Sequence, residues 1–121
     1  MDKLELGKKK IKEVLGADVD SLIASFNEIS PDFAKYVVEM AYGDFYSRAG
    51  LSDKTREVAA IAALIGQGNT GLPLHAHLKG MLNVGWSKEE IVEVLIFLIV
   101  FVGFPPIVDA LNVAKEVFAA A

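Results

Sequence analysis

The chain has 121 residues and a net charge of −4, with a pI near 5.1, a length that holds one hydrophobic core and not two. An acidic chain with no basic stripe interleaved with aromatics lacks the electrostatic footprint of a nucleic-acid binder. It contains no cysteine, which removes disulfides, thiolate metal sites and thiol redox chemistry together.

In chain order, Asp2 to Leu15 is charged and weakly amphipathic, and Gly16 ends it. The opening MDKLELGKKK lacks the apolar region of a signal peptide, so a cytoplasmic location is expected. Lys8 to Lys12 (KKKIK) reads as the solvated face of this first helix. Val19 to Glu28 predicts a second short helix. Ser30-Pro31-Asp32 supplies a capping hydroxyl, a proline at the first helical position and an acid in the first turn. The helix they open is expected to run to Gly50. Ser52 caps the next helix, Asp53 to Gly66, whose body VAAIAALIG is apolar on nearly every face. GQGNTG then breaks the chain. That loop follows a helix and lacks a Lys-Ser/Thr pair, so it is not a phosphate loop.

Pro73 begins the helix that carries both histidines, and Gly85 ends it. Ser87 to Glu90 has the S-x-x-E form of a capping box and opens a helix over 88–102. Its stretch Ile91 to Val102 is apolar except at Glu93 but only 12 residues long, against about 20 for a membrane span. A buried helix is the better reading, with no membrane partner. After GFPP a last helix covers Ile107 to about Ala120.

Helices with short connections and no alternating pattern predict an all-α fold, one domain over 1–121. Helices 53–66 and 88–102 are expected at its centre. A small domain cannot cover their outer faces, and with a mean hydropathy of +0.39 burial between copies in a homo-oligomer follows.

His77 is the natural proton-transfer group, since an imidazole with a pKa near 6.5 donates and accepts at neutral pH. Leu74, Leu78 and Met81 place it at the edge of an apolar face, where a core histidine bonded to a carbonyl is the plainer alternative. His75, two residues away, points to nearly the opposite side of a helix. The two do not make the i, i+4 pair of a helical metal site, and no metal is expected. Glu57 and Arg56 are the last charges before the run Val58 to Gly66. They read either as first-turn electrostatics or as a carboxylate and guanidinium at the mouth of a dry pocket. Glu93 reads as a solvated flank and Asp109 as a first-turn acid of the last helix. Phe33, Tyr36, Phe45, Tyr46, Phe97, Phe101 and Phe104 follow helical spacing and are expected in packing, as is Trp86.

Three stretches, SPDFAKYVVEMAYGDFYSRAGLSDKTREVAAIAAL, HLKGMLNVGWSKEEIVEVL and FVGFPPIVDALNVAKEVF, resemble the carboxymuconolactone decarboxylase family, relatives of the alkyl hydroperoxidase D-like fold. The resemblance covers 30–118 and leaves 1–29 as added N-terminal helices. It implies an all-helical subunit in homo-trimers or homo-hexamers, and loss of CO2 from a lactone carboxylate without a cofactor. His77 occupies the position of the family's proton carrier. The C-x-x-C motif of the peroxidase branch corresponds to Thr70 and Pro73, so thiol peroxidase activity is excluded. Two positions often polar in the decarboxylase branch correspond to Phe97 and Phe101, and an acid often found four before the histidine to Pro73. The implied pocket is drier, with fewer hydrogen-bond partners.

The leading expectation is a decarboxylase of a small, 4-carboxymuconolactone-like acid. Arg56 or Lys79 orients the carboxylate, Phe97 and Phe101 line the pocket, and His77, assisted by Glu57, protonates the developing enolate. A dry pocket favours loss of a charged carboxylate because desolvation raises the ground state more than a charge-dispersed transition state. The alternative is a non-catalytic binding oligomer on the same fold.

Overall fold

The computed structural model describes all residues from Met1 to Ala121. It is all-helical, and its contacts divide it into two compact units, Met1–Asp53 and Lys54–Ala121.

In the first unit, α1 (Lys3–Leu15) is capped by the Asp2 carboxylate, which accepts from the Glu5 N–H. It buries Gly7, Ile11, Val14 and Leu15, the i, i+4, i+7 stripe of an amphipathic helix. The lysines between them stay at the surface, where Lys12 pairs with Asp20 at 3.2 Å. Lys10, the most covered of them, holds Asp53 at 2.8 Å. After α2 (Val19–Ile29), the Ser30 hydroxyl accepts from the Phe33 N–H and Pro31 opens α3 (Pro31–Tyr36).

The sequence predicts a regular helix from here to Gly50; the chain instead widens into a π-helix over Val37–Phe45 and ends there. The Tyr46 N–H reaches back five residues to the Ala41 carbonyl, 2.8 Å, and Tyr42 stacks on Tyr46 with centroids 4.5 Å apart. The cause is the close approach of α1. A Cβ on Gly7 would collide with the Val38 carbonyl oxygen, and one on Gly43 would press on Lys3. The wider turn keeps Val38, Tyr42 and Gly43 together on the buried side.

The second unit holds α4 (Asp53–Gly66, all but its first residue), α5 (Leu72–Asn83), α6 (Lys88–Val102) and α7 (Phe104–Ala120). Its core joins Ile61 and Ile65 of α4 and Leu74, Leu78 and Met81 of α5. It also takes Ile91, Leu95 and Leu98 of α6 and Ile107, Ala110, Ala114 and Val117 of α7. Helices α4 and α6 bury one stripe each and not their whole circumference. The outer face of α6 and the start of α7 stay open, with Val100 74% and Phe104 69% exposed. The predicted packing role of the aromatics is corrected accordingly: Phe33, Tyr36, Phe45, Phe97, Phe101 and Phe104 all lie at the surface, from 52% at Phe33 to 72% at Phe101. Their helical spacing is real, but it marks an outward stripe.

Helix α7 begins three residues before its expected start, because prolines are tolerated in a first turn where no N–H partner is needed. Asp109 therefore lies beyond the first turn it was expected to serve. No helix is long and apolar enough to cross a membrane.

The capping box of α6 forms as the sequence predicts. The Glu90 N–H donates to the Ser87 hydroxyl at 3.0 Å, and the Ser87 N–H donates to Glu90 Oε1 at 2.9 Å. The backbone bond from Ser87, then its hydroxyl, then the charge of Lys54 hold the Glu90 carboxyl below its ordinary value of 4.5. A lowered folded-state value means the stabilisation is complete above that value and fades as pH falls through the lower one. The melting-temperature gap between the native chain and Glu90→Gln should thus be full at neutral pH and narrow below pH 4.5. A gap unchanged down to pH 2 (a thermal scan series reads it) would contradict this account.

Candidate active site

On α4, Glu57 falls four residues before Ile61 and eight before Ile65, and all three are buried. The carboxylate therefore sits on the stripe that faces the core and is completely covered, at 0% exposure. First-turn electrostatics does not describe it; Asp53 takes that place. A carboxylate buried this deeply needs a partner, and α5 provides one. His77 Nδ1 lies 2.7 Å from Glu57 Oε2. The imidazole sits where the sequence predicts, beside the buried Leu74, Leu78 and Met81. Its partner is a carboxylate and not the carbonyl of the plainer alternative.

This geometry has a chemical consequence. With Nδ1–H donating to Glu57, the carboxylate fixes the tautomer and the ring orientation and leaves Nε2 for a reactant. The ring is not sealed in, since its side chain keeps 18% of its surface exposed. A positioned imidazole backed by a buried carboxylate can give a proton to, or take one from, a bound molecule.

The other predicted residues fall around this pair. Arg56 precedes Glu57 on α4 and is half-buried, as are Lys79 and His75 on α5. Two residues from His77 is about 200° round a helix, so neither Lys79 nor His75 shares its face. Phe97 and Phe101 contact each other edge to face, centroids 5.7 Å apart, on the exposed side of α6. Glu93 is solvated as expected. No group of three or more His, Asp or Glu side chains forms a metal-holding cluster.

One pair of residues escapes a reading of the sequence. The Trp86 indole N–H donates to the Lys54 carbonyl at 2.9 Å, and the Lys54 ammonium sits 4.6 Å from the centre of the same ring. Lys54 is three residues before Glu57. The Trp86 backbone N–H donates to the Met81 carbonyl at 2.9 Å, four residues past His77. Gly85, at φ 112°, makes the turn that allows this. The available signal is a polar-tipped tryptophan between such a glycine and a capping box.

The model of the carboxymuconolactone decarboxylase family matches residues 31–116. The chain belongs to that family. It is 33% identical over 107 residues to a 4-carboxymuconolactone decarboxylase of Acinetobacter baylyi, covering 88% of this chain and 79% of that protein. It is 29% identical over 111 residues to a nitrosuccinic acid decarboxylase of Metarhizium robertsii, covering 91% and 77%. An uncharacterized 15.0 kDa protein of Paracoccus denitrificans is 31% identical over 96 residues, 78% of this chain and 72% of its own length. His77 and Glu57 both lie within the matched family segment.

Proposed function

We propose that this family member is a cofactor-independent carboxy-lyase acting on a small organic acid, with His77 as proton carrier and Glu57 as the group that holds it. The observation that carries the reading is the 2.7 Å contact between a fully covered carboxylate and a partly open imidazole. The similarity to two proteins named as decarboxylases supports the reaction class.

Both named acids carry an electron-withdrawing group, a lactone in one and a nitro group in the other. An acid of that kind needs an anchor for its carboxylate and a proton for the carbon left behind. The bond to the departing carboxylate carbon breaks, CO2 leaves, and the electron pair stays on the substrate carbon, delocalised into the neighbouring group. His77 Nε2–H then delivers a proton to that carbon, and the ring regains one from water. Glu57 is the counter-charge while the imidazole carries both protons. Arg56, adjoining Glu57, is the cation we assign to the substrate carboxylate; Lys79, about 200° round α5 from His77, is not placed to share that task. The substrate class is thus an acid whose carboxylate leaves next to an electron sink, 4-carboxymuconolactone being the first to try. CO2 release from that lactone and from nitrosuccinic acid, set against a panel of saturated acids, tests it. Turnover of none of them would end the proposal.

The reading takes 1–121 as one family domain that works as a homo-oligomer, a trimer or hexamer. On α6 and α7, Phe97, Val100, Phe101, Phe104 and Val108 are each more than half exposed. With Ile96 and Leu111 they form an exposed apolar face, the kind of surface that marks a protein–protein contact. A second copy covering them would turn Phe97 and Phe101 into the walls of an enclosed space. Phe101→Glu should accordingly lower the mass seen in sedimentation velocity, whereas a native chain that sediments as a monomer at micromolar concentration would refute the assembly.

A further inference from the structure

Trp86 touches both helices that carry the proton-transfer pair. Its backbone N–H is tied to the Met81 carbonyl near the end of α5, and its indole N–H to the Lys54 carbonyl in the first turn of α4. Met81 is one turn past His77, and Lys54 just under one turn before Glu57. The Lys54 side chain folds back over the indole face at 4.6 Å, a cation–π contact that closes the loop on itself. Lys54 also bears on Glu90 of the α6 capping box. Trp86 and Lys54 therefore tie the first turn of α4 to the end of α5, the two helices whose groups must stay within hydrogen-bond reach.

We infer that Trp86 and Lys54 are positioning residues that set the distance between Glu57 and His77 by clamping the first turn of α4 to the end of α5. The inference rests on the decarboxylase reading for its use in turnover, but not for its geometry. A hydrogen bond of 2.7 Å tolerates little sliding of one helix along the other, and small displacements of reacting groups carry large rate penalties. The indole keeps its apolar ring against the core of the second unit. Its N–H supplies the one directional link to α4. Phenylalanine would preserve the first role and lose the second.

The test uses the full-length chain. Only two histidines are present, so with nitrogen-15 in the imidazoles and His75→Gln as the background, the ring signals belong to His77 alone. The expected spectrum shows the Nδ1-protonated form with a strongly downfield Nδ1–H. Trp86→Phe should broaden or shift that signal, and Lys54→Met should do so more weakly. A core variant chosen to match the loss in melting temperature, Val117→Ala, should leave it in place. In turnover, Trp86→Phe should lower kcat about 10-fold with KM within about 2-fold, the signature of lost alignment and not of lost binding.

A signal unchanged in Trp86→Phe, disturbed equally by Val117→Ala, or missing from the native ring would overturn the inference. The spectrum needs no substrate. A protein that releases no CO2 but keeps a Trp86-dependent signal would sink the decarboxylase reading and leave the clamp standing.

Discussion

His77→Asn is expected to lower CO2 release at least about 100-fold, the low end for loss of a general acid, with little change in melting temperature. The asparagine amide nitrogen, like Nδ1, is bonded to Cγ and can still donate to Glu57 across the gap that Nδ1 now spans at 2.7 Å, so the covered carboxylate keeps a partner. It cannot carry a proton to carbon. His77→Ala removes both functions at once. It should lose the same activity and also cost about 3 kcal/mol of stability, because breaking a buried pair leaves a charge without compensation. The two variants, compared by a turnover assay and thermal melts, separate chemistry from folding. Wild-type rates in His77→Asn would rule out the proton-carrier role.

Glu57→Gln is the complementary change and should behave differently. It keeps the shape of a side chain that is wholly covered and removes the charge. No buried ion is then left unpaired, so stability should stay within about 1 kcal/mol of the native chain. Turnover should nonetheless fall by about 10²- to 10⁴-fold, since the ring loses both its tautomer lock and its counter-charge. Equal losses of stability and rate would mean that Glu57 serves the core and not the reaction.

Much of this site was legible in the sequence, but one residue at a time. His77 stood out as the imidazole at the edge of an apolar helix face. Glu57 is the last acid before an apolar run, but the sequence leaves its direction open; the burial of Ile61 and Ile65 with it at intervals of four sets it. Which helices face each other is a tertiary fact, and a separation of 20 residues between the partners carries no local signal. The Trp86–Lys54 link was invisible for the same reason.

The elements themselves followed local chemistry well where caps were explicit, as at Ser30 and Ser87. They failed where packing intervened. Nothing in VVEMAYGDF announces a π-helix; the widening answers the approach of α1 through Gly7. The phenylalanine spacing predicts packing but marks an outward stripe, because periodicity gives a face without saying which way it points.

The division into Met1–Asp53 and Lys54–Ala121 gives the molecule two separate optical reporters. All three tyrosines, Tyr36, Tyr42 and Tyr46, belong to the first unit, and the lone tryptophan, Trp86, to the second. Second-derivative absorbance that resolves the phenols and emission excited only through indole therefore follow different halves of one chain during denaturation. Whether the two curves superimpose distinguishes an all-or-none transition from sequential melting, with no label attached.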